Sequence, residues 1–217
     1  YYVGSITTAM ITLWTIFRPY PVNQLSALLF LAHCMRRLYE CHRITLYGGA
    51  HMHLTDYFVG VLHYTLAPLT ILVAICEQRI VAPHSALRGL GSGNLIWHGI
   101  IGLLFVLFNI LQHNTHYALF LMKTRSVKDG SSGDGSGYSF PRAWMFSYCA
   151  CPHYAAEIGL YVCLLLLHSR CKSMYFLVLW VATNLSVVAY QQYCWYLEIF
   201  PDEVLSRQWY ILIPFVW

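Results

Sequence analysis

The sequence predicts an all-α, polytopic membrane helix bundle of six spans followed by an interfacial C-terminal segment. Three observations predict it. Of the 217 residues, 58% are hydrophobic and only 10% charged, against about 25% charged in soluble domains. Apolar runs near the length needed to cross hydrocarbon recur along the chain. The ionisable residues inside these runs also fall at helical spacing, as with His153, Glu157 and Tyr161 at i, i+4 and i+8.

Tyr1 to Phe17 is an uncharged first span stopped by Arg18-Pro19-Tyr20-Pro21. Val22 to Leu38 is the second, with Arg36 and Arg37 snorkelling at its end. Leu54 to Cys76 is the third, and Pro68 within it predicts a kink. Glu77 to Asn94, polar and glycine-rich, reads as a surface loop. Leu95 to Met122 is long enough to cross and project beyond, with Gln112, His113, Asn114 and His116 in its second half. Lys123 to Gly137 reads as a flexible cytosolic loop, too polar to repay its own ordering. Trp144 to His168 and Met174 to Leu197 are the last spans, and Phe200 to Trp217 is an amphipathic tail suited to the interface. The whole of 1–217 reads as one transmembrane domain. It starts at Tyr1 with neither Met nor a signal-peptide pattern, and reads as missing its natural N-terminus.

Orientation follows from Lys and Arg on alternate sides of the six spans. One side holds Arg36, Arg37, Arg43, Lys123, Arg125, Lys128, Arg142 and Arg207; the other holds Arg18, Arg79, Arg88, Arg170 and Lys172. The richer side is expected to be cytosolic. A net charge of +4 without a Lys/Arg-rich block excludes a nucleic-acid footprint. The eight cysteines lie mostly in or beside apolar runs, where the thiol behaves as a small hydrophobe, and Cys149-x-Cys151 lacks the second pair a zinc site needs. No metal and no obligate protein partner is expected.

The densest polar stretch is Ser147 to Tyr161. Pro152 suits the first turn of a helix. A carboxylate in hydrocarbon costs roughly 2.5 to 3.5 kcal/mol, so Glu157 must face a partner, a wet cavity or a ligand. A structural pair with His153 or an arginine is the competing reading. Arg36, Arg37 and Glu40 likewise form either a self-satisfied helix end or a fork for phosphate. Gln112 and His116, at i and i+4 with Lys123 beyond, make a polar face that leads out of the membrane.

These residues resemble the steroid 5α-reductase family, and within it the polyprenol (polyprenal) reductase branch. The matching pieces occur in the family's order: HCMRRLYEC at His33 to Cys41, the polar exit from Gln112 to Lys123, Tyr138-Ser139-Phe140-Pro141, CPHYAAEIGLY at Cys151 to Tyr161, and WYLEIF through IPFVW. The resemblance implies a seven-span reductase of the endoplasmic reticulum membrane that takes NADPH from the cytosolic side. It would saturate the α-isoprene unit of a long polyprenoid drawn from the bilayer, for dolichol synthesis and N-glycosylation. It places cofactor contacts at Gln112, His116, Lys123, Tyr138, His153, Glu157 and Tyr196, with Arg36, Arg37, Lys123 and Arg125 near the phosphates. Relatives often carry Asp at the position of His116, Asn at that of His153, and His where Gln191 and Gln192 stand. The steroid enzymes' substrate-side tyrosine aligns with Cys41, and the helix bearing a Gln-acidic pair is expected upstream of Tyr1.

Such chemistry also needs a donor at the carbonyl oxygen of an enal, for which Glu40 ranks first, then Tyr39 and Tyr47. No G-x-G-x-x-G follows a predicted strand, which argues against a Rossmann site. A steroid or enoyl-thioester reductase is the nearest alternative. A di-iron oxygenase would need more paired histidines than His51-x-His53 and His113-x-x-His116 supply. A transporter would draw on Asp56, His63 and Glu157 but lacks internal symmetry.

Overall fold

The computed structural model describes Ala9 and residues 21–45, 53–81, 92–129, 140–207 and 209–212. Among the described residues six α-helices follow one another: α1 (Pro21–Arg43), α2 (Leu54–Val81), α3 (Ser92–Asp129), α4 (Pro152–Leu167), α5 (Lys172–Ile199) and the short α6 (Pro201–Arg207), with a 3₁₀ turn at Trp144–Ser147 before α4. Among the described residues the only β pairing is an isolated parallel bridge between Cys149 and Tyr210. The architecture is therefore an all-helical bundle, and Leu54–Glu77, Leu95–Arg125 and Lys172–Ile199 are each long and apolar enough to cross a membrane. Apart from Ala9, the first expected span lies outside the described residues, as do Tyr47 and Tyr138.

The outward faces explain why these helices show no polar side. Leu62, Leu66, Leu69 and Val73 of α2, Leu103 and Leu107 of α3, and Phe176, Leu179 and Trp180 of α5 are all exposed. In lipid an apolar exterior carries no penalty, and backbone groups are satisfied within each helix. The interior differs in polarity rather than lacking it. Phe30, Ala67, Ile71, Phe105, Leu160, Leu164 and Met174 form the apolar core shared by α1 to α5, while Ser26, His33, Glu40, Gln112, Thr115, Glu157 and His168 are buried polar residues.

Several boundaries differ from the sequence reading. Helix α3 runs on to Asp129, so the first seven residues of the segment read as a flexible loop are helical. Their Lys-Thr-Arg-Ser-Val-Lys-Asp sequence contains no Gly or Pro to stop the helix. Helix α2 continues four residues past Glu77 for the same reason. The fifth expected span does not begin at Trp144, because Cys151, at φ −129° and ψ 60°, is not helical and only at Pro152 does the α-helix start. Its 16 residues rise about 24 Å, short of a hydrocarbon thickness of about 30 Å.

Residues 209–212 of the tail are held against the segment before α4. Ala150 N donates to Tyr210 O at 2.9 Å, Cys151 N to Ile211 O at 3.2 Å and Tyr210 N to Tyr148 O at 3.3 Å. Trp209 and Leu212 are buried beside Phe140, Phe146 and Tyr196. The non-helical backbone just before α4 needs hydrogen-bond partners, and the tail supplies them.

Candidate functional site

Three helices converge on one polar chain. From α1 come His33, Arg36, Arg37 and Glu40, which share a face at i, i+3, i+4 and i+7; from α3 come Asn109, Gln112 and His113; from α4 comes Glu157. The close approach of α3 to α4 depends on Gly159, where a Cβ would lie 2.7 Å from the Phe108 ring. A glycine at a helix crossing lets the backbones draw together, as small residues do in membrane bundles.

The bonds run continuously along this chain. Gln112 Nε2 donates to Glu157 Oε2, and Gln112 Oε1 accepts from Arg36 Nη2. Arg36 Nε donates to Asn109 Oδ1 at 3.0 Å, Nη1 donates to Glu40 Oε1, and Nη2 also reaches His33 Nδ1 at 3.2 Å. His33 Nε2 stands 3.3 Å from Glu157 Oε1, a polar contact too poorly aligned for a full hydrogen bond. His33 Nδ1 also lies 3.2 Å from Asn109 Oδ1. Glu40 receives Arg37 Nη1 at 2.5 Å and His113 Nδ1 at 2.8 Å. One turn further along the same face of α4, Tyr161 is 2.7 Å from His63 of α2.

Glu40 lies beyond Leu38, where the apolar stretch of α1 ends. Burial pushes its carboxyl upward, but Arg36 and Arg37, helped by hydrogen bonds from His113 and Arg37, hold it below the ordinary 4.5. An ionised carboxylate clasped by two guanidiniums accepts hydrogen bonds and has no proton to give. This geometry argues against Glu40 as the donor to a carbonyl. Tyr39, the second candidate, points away from the chain and is 57% exposed.

Arg36 and Arg37 also depart from their expected part at cofactor phosphates. Their guanidiniums bind Glu40, and Arg36 adds Asn109, His33 and Gln112, so the inward network takes the fork that a phosphate would need. Of the two readings of this helix end, the geometry favours the self-satisfied one, extended across to α3.

The remaining expected contacts form a second group. His116 and His153 face each other with ring centroids 5.2 Å apart. Each holds a buried ring nitrogen, Nε2 of His116 and Nδ1 of His153, with no hydrogen-bond partner among the described residues. His153 packs on Tyr154 at 4.1 Å and near Phe146 at 6.4 Å. Tyr196 is buried with Phe146, Phe140 and Trp209 in the same cluster. Lys123 sits on α3 and is half-buried.

On the lipid-facing side of α1 and α3 a groove of about 410 Å³ is lined by Leu29, Ala32, Arg36, Phe105, Val106, Asn109, Ile110 and His113. The sequence reading missed His33, Asn109 and His113 as site residues. The signal was there: Asn109, Gln112, His113 and His116 repeat the spacing of the α1 stripe, so two polar faces of equal length were available to pair.

A bundle of apolar helices with a buried carboxylate, an amide and guanidiniums joined at its centre defines a class of membrane protein built around an internal polar site. Residues 86–217 match the family described as 3-oxo-5-alpha-steroid 4-dehydrogenase. This covers more than half of the chain, which therefore belongs to that family. Among its relatives, Polyprenal reductase 2 of Oryza sativa subsp. japonica is 30% identical over 212 residues, covering 88% of this chain and 58% of the relative. Polyprenal reductase of Caenorhabditis elegans is 29% identical, covering 90% and 62%, and that of Xenopus tropicalis is 28% identical, covering 89% and 62%. The chain thus spans about three fifths of the length of these relatives.

Proposed function

We propose that the protein is an NADPH-dependent oxidoreductase of the endoplasmic reticulum membrane that saturates the α-isoprene double bond of a polyprenal in dolichol synthesis. Its substrate comes from the bilayer and its cofactor from the cytosolic side. The relatives named polyprenal reductase support the substrate class. The observation that carries the reading is the polar chain from Glu40 to Glu157, buried among helices with apolar exteriors. So many ionisable groups in such surroundings mark a functional site.

The residues present fit a dinucleotide. Two buried imidazole nitrogens without hydrogen-bond partners among the described residues, at His116 and His153, are suited to hydroxyl or amide groups of a ligand, since neutral imidazole both donates and accepts. Gln112 and Glu157 stand beside them on the same two helices, and Tyr196 closes the aromatic side. Lys123 and Arg125, on the exposed end of α3, are the cations for phosphate, and Tyr138 completes the set expected from the resemblance. When bound, the reduced nicotinamide supplies a hydride. The protein's own task is to hold the enal in place, exclude water and provide a proton.

The test is product analysis by mass spectrometry on the full-length protein in membranes, supplied with NADPH and, in parallel, a polyprenal, an enone steroid and an enoyl thioester. Saturated aldehyde from polyprenal is the expected product. Turnover of the steroid or the thioester alone would move the protein to another branch, and no turnover of any of them would leave transport as the reading to pursue.

A further inference from the structure

We infer that the trough between α1 and α3 holds the isoprenoid tail of the substrate, a few units behind its head group, and so selects long-chain polyprenals over short aldehydes. This inference rests on the reductase reading and deepens it. The trough takes hydrocarbon only, and the reacting carbons stay with the polar chain inside the bundle.

The hollow has a cause in the sequence. On α1, Leu28, Ala32, Met35 and Tyr39 fall at i, i+4, i+7 and i+11 on one outward stripe, and all four are exposed. Ala32 is the short member of that row, and α3 contributes Phe105, Val106 and Ile110 to the other wall. A methyl group stands where a longer side chain would fill the space, and about 410 Å³ is left open. Ligand sites span about 300 to 1,000 Å³. Arg36 meets Asn109 and Glu40 meets His113 at the same offset in sequence, so α1 and α3 run side by side in the same sense and the trough follows both axes. From Leu29 to Arg36 it rises about 10 Å.

The accessible surface of this trough is wholly apolar. The Arg36 fork is turned inward onto Glu40, Asn109 and Gln112, so a head group gains nothing there and a hydrocarbon chain meets no polar group to desolvate. Val106 and Ile110 are 44% and 51% exposed, which leaves the trough open to lipid along its length. In a bilayer such a hollow is filled by a hydrocarbon chain, because a void forfeits the dispersion contacts of its lining.

Packing and entropy decide which chain it is. A phospholipid acyl chain and an isoprenoid both move from hydrocarbon to hydrocarbon, so neither gains by leaving water. A polyprenoid has a double bond in every repeat; fewer of its bonds rotate, and less freedom is lost when it is laid along a fixed wall. Its methyl branches also fill the uneven lining of Leu29, Ala32, Phe105 and Val106 more completely than a straight chain does. Position adds to this. The end of the trough at Arg36 and His113 adjoins Gln112 in sequence and is bonded to it through Arg36, so it lies at the level of the amide that meets Glu157. A ligand whose head reacts at that level, and whose tail is too long for the bundle interior, must run out into lipid, and the trough borders the polar chain on the lipid side.

The experiment uses full-length protein in phospholipid nanodiscs. A polyprenal carrying a diazirine within its first few isoprene units is expected, on illumination, to mark peptides containing Leu29, Ala32, Phe105 and Val106, and excess unlabelled polyprenal should suppress the marking. A phospholipid with the same group in its acyl chain should mark these peptides only until polyprenal is added. Phospholipid labelling that polyprenal does not reduce, or no labelling of the trough by the polyprenal probe, overturns the assignment. With NADPH present, Ala32→Phe is expected to raise the ratio of KM for a long polyprenal to KM for a short isoprenoid aldehyde about tenfold or more, the scale of one over-packed contact. Leu28→Phe, on the same outward stripe but outside the trough, should leave that ratio within about twofold of normal. Val106→Phe fills the trough from the opposite wall and reads the same ratio should the α1 variant fail to fold. A filled trough with the ratio within about twofold of normal overturns the selectivity role. Wild-type protein that is labelled in the trough and protected by polyprenal, yet reduces none of it, refutes the reductase reading instead.

Discussion

Glu157 shows what a single buried carboxylate demands of its neighbours. Its oxygens are held by Gln112 and faced by His33, so truncation removes the acceptor of the Gln112 amide N–H and the charge opposite the imidazole in a water-poor interior. Glu157→Ala is expected to destabilise the protein by about 3 to 5 kcal/mol, as breaking a buried polar pair does. Glu157→Gln, which can still accept from Gln112, should cost clearly less; thermal unfolding in detergent separates the two. Glu40 makes a related prediction about acidity. Because its folded carboxyl is held below 4.5, its ion pairs contribute stability that is fully present above that pH and is lost as pH falls through the folded value. Glu40→Gln should therefore flatten the acid side of a stability profile below about pH 4.5, and an unchanged acid limb would show that the pairs carry no net stabilisation. At this scale the sequence was informative about identity and silent about pairing. Spacing alone singled out Glu157, Gln112 and Arg36, but which guanidinium met which carboxylate depended on the register between α1 and α3, which no local pattern encodes.

Helix contacts are where small residues decide. At Gly159 an added methyl would press into the Phe108 ring at 2.7 to 2.8 Å, whereas Gly102 on α3 has nothing within 4 Å. Gly159→Ala should cost about 1 to 3 kcal/mol by forcing the ring aside. Gly102→Ala should be neutral or gain up to about 1 kcal/mol from helix propensity. Melting temperatures of the two proteins check the contrast, and equal shifts would mean that α3 and α4 do not pack as described. Trp209 tests the docked tail. Its ring packs 4.7 Å from Phe140 and 5.3 Å from Tyr196, and its Nε1 donates to Phe146 O. Trp209→Ala should cost about 3 to 5 kcal/mol, readable in the same assay. The positions of α2, α3 and α5 could be read from their apolar lengths. The short α4 and the docked tail could not, because an apolar run does not reveal that Ser147 to Cys151 uses its backbone bonds outside a helix.

For the whole molecule, the exposed apolar belt makes a plain prediction: the protein should stay with membranes through alkaline carbonate extraction, and its release would contradict the reading of α2, α3 and α5 as crossings. Fold class and family were both legible before any coordinates. Composition alone requires a membrane bundle, and the CPHYAAEIGLY segment carries the family resemblance. The interior layout was not legible, since a bundle whose helices are apolar on nearly every side gives no amphipathic signal for which faces meet.

Arg36 sits where the two halves of the bundle's polar chain join, touching the lipid-side trough with one edge and, through Gln112, the deeper carboxylate with another. A guest arriving from oil and a guest arriving from water would pull on opposite ends of one tether. Their affinities are then thermodynamically linked, and whichever guest strengthens the other's hold must be strengthened by it to the same degree.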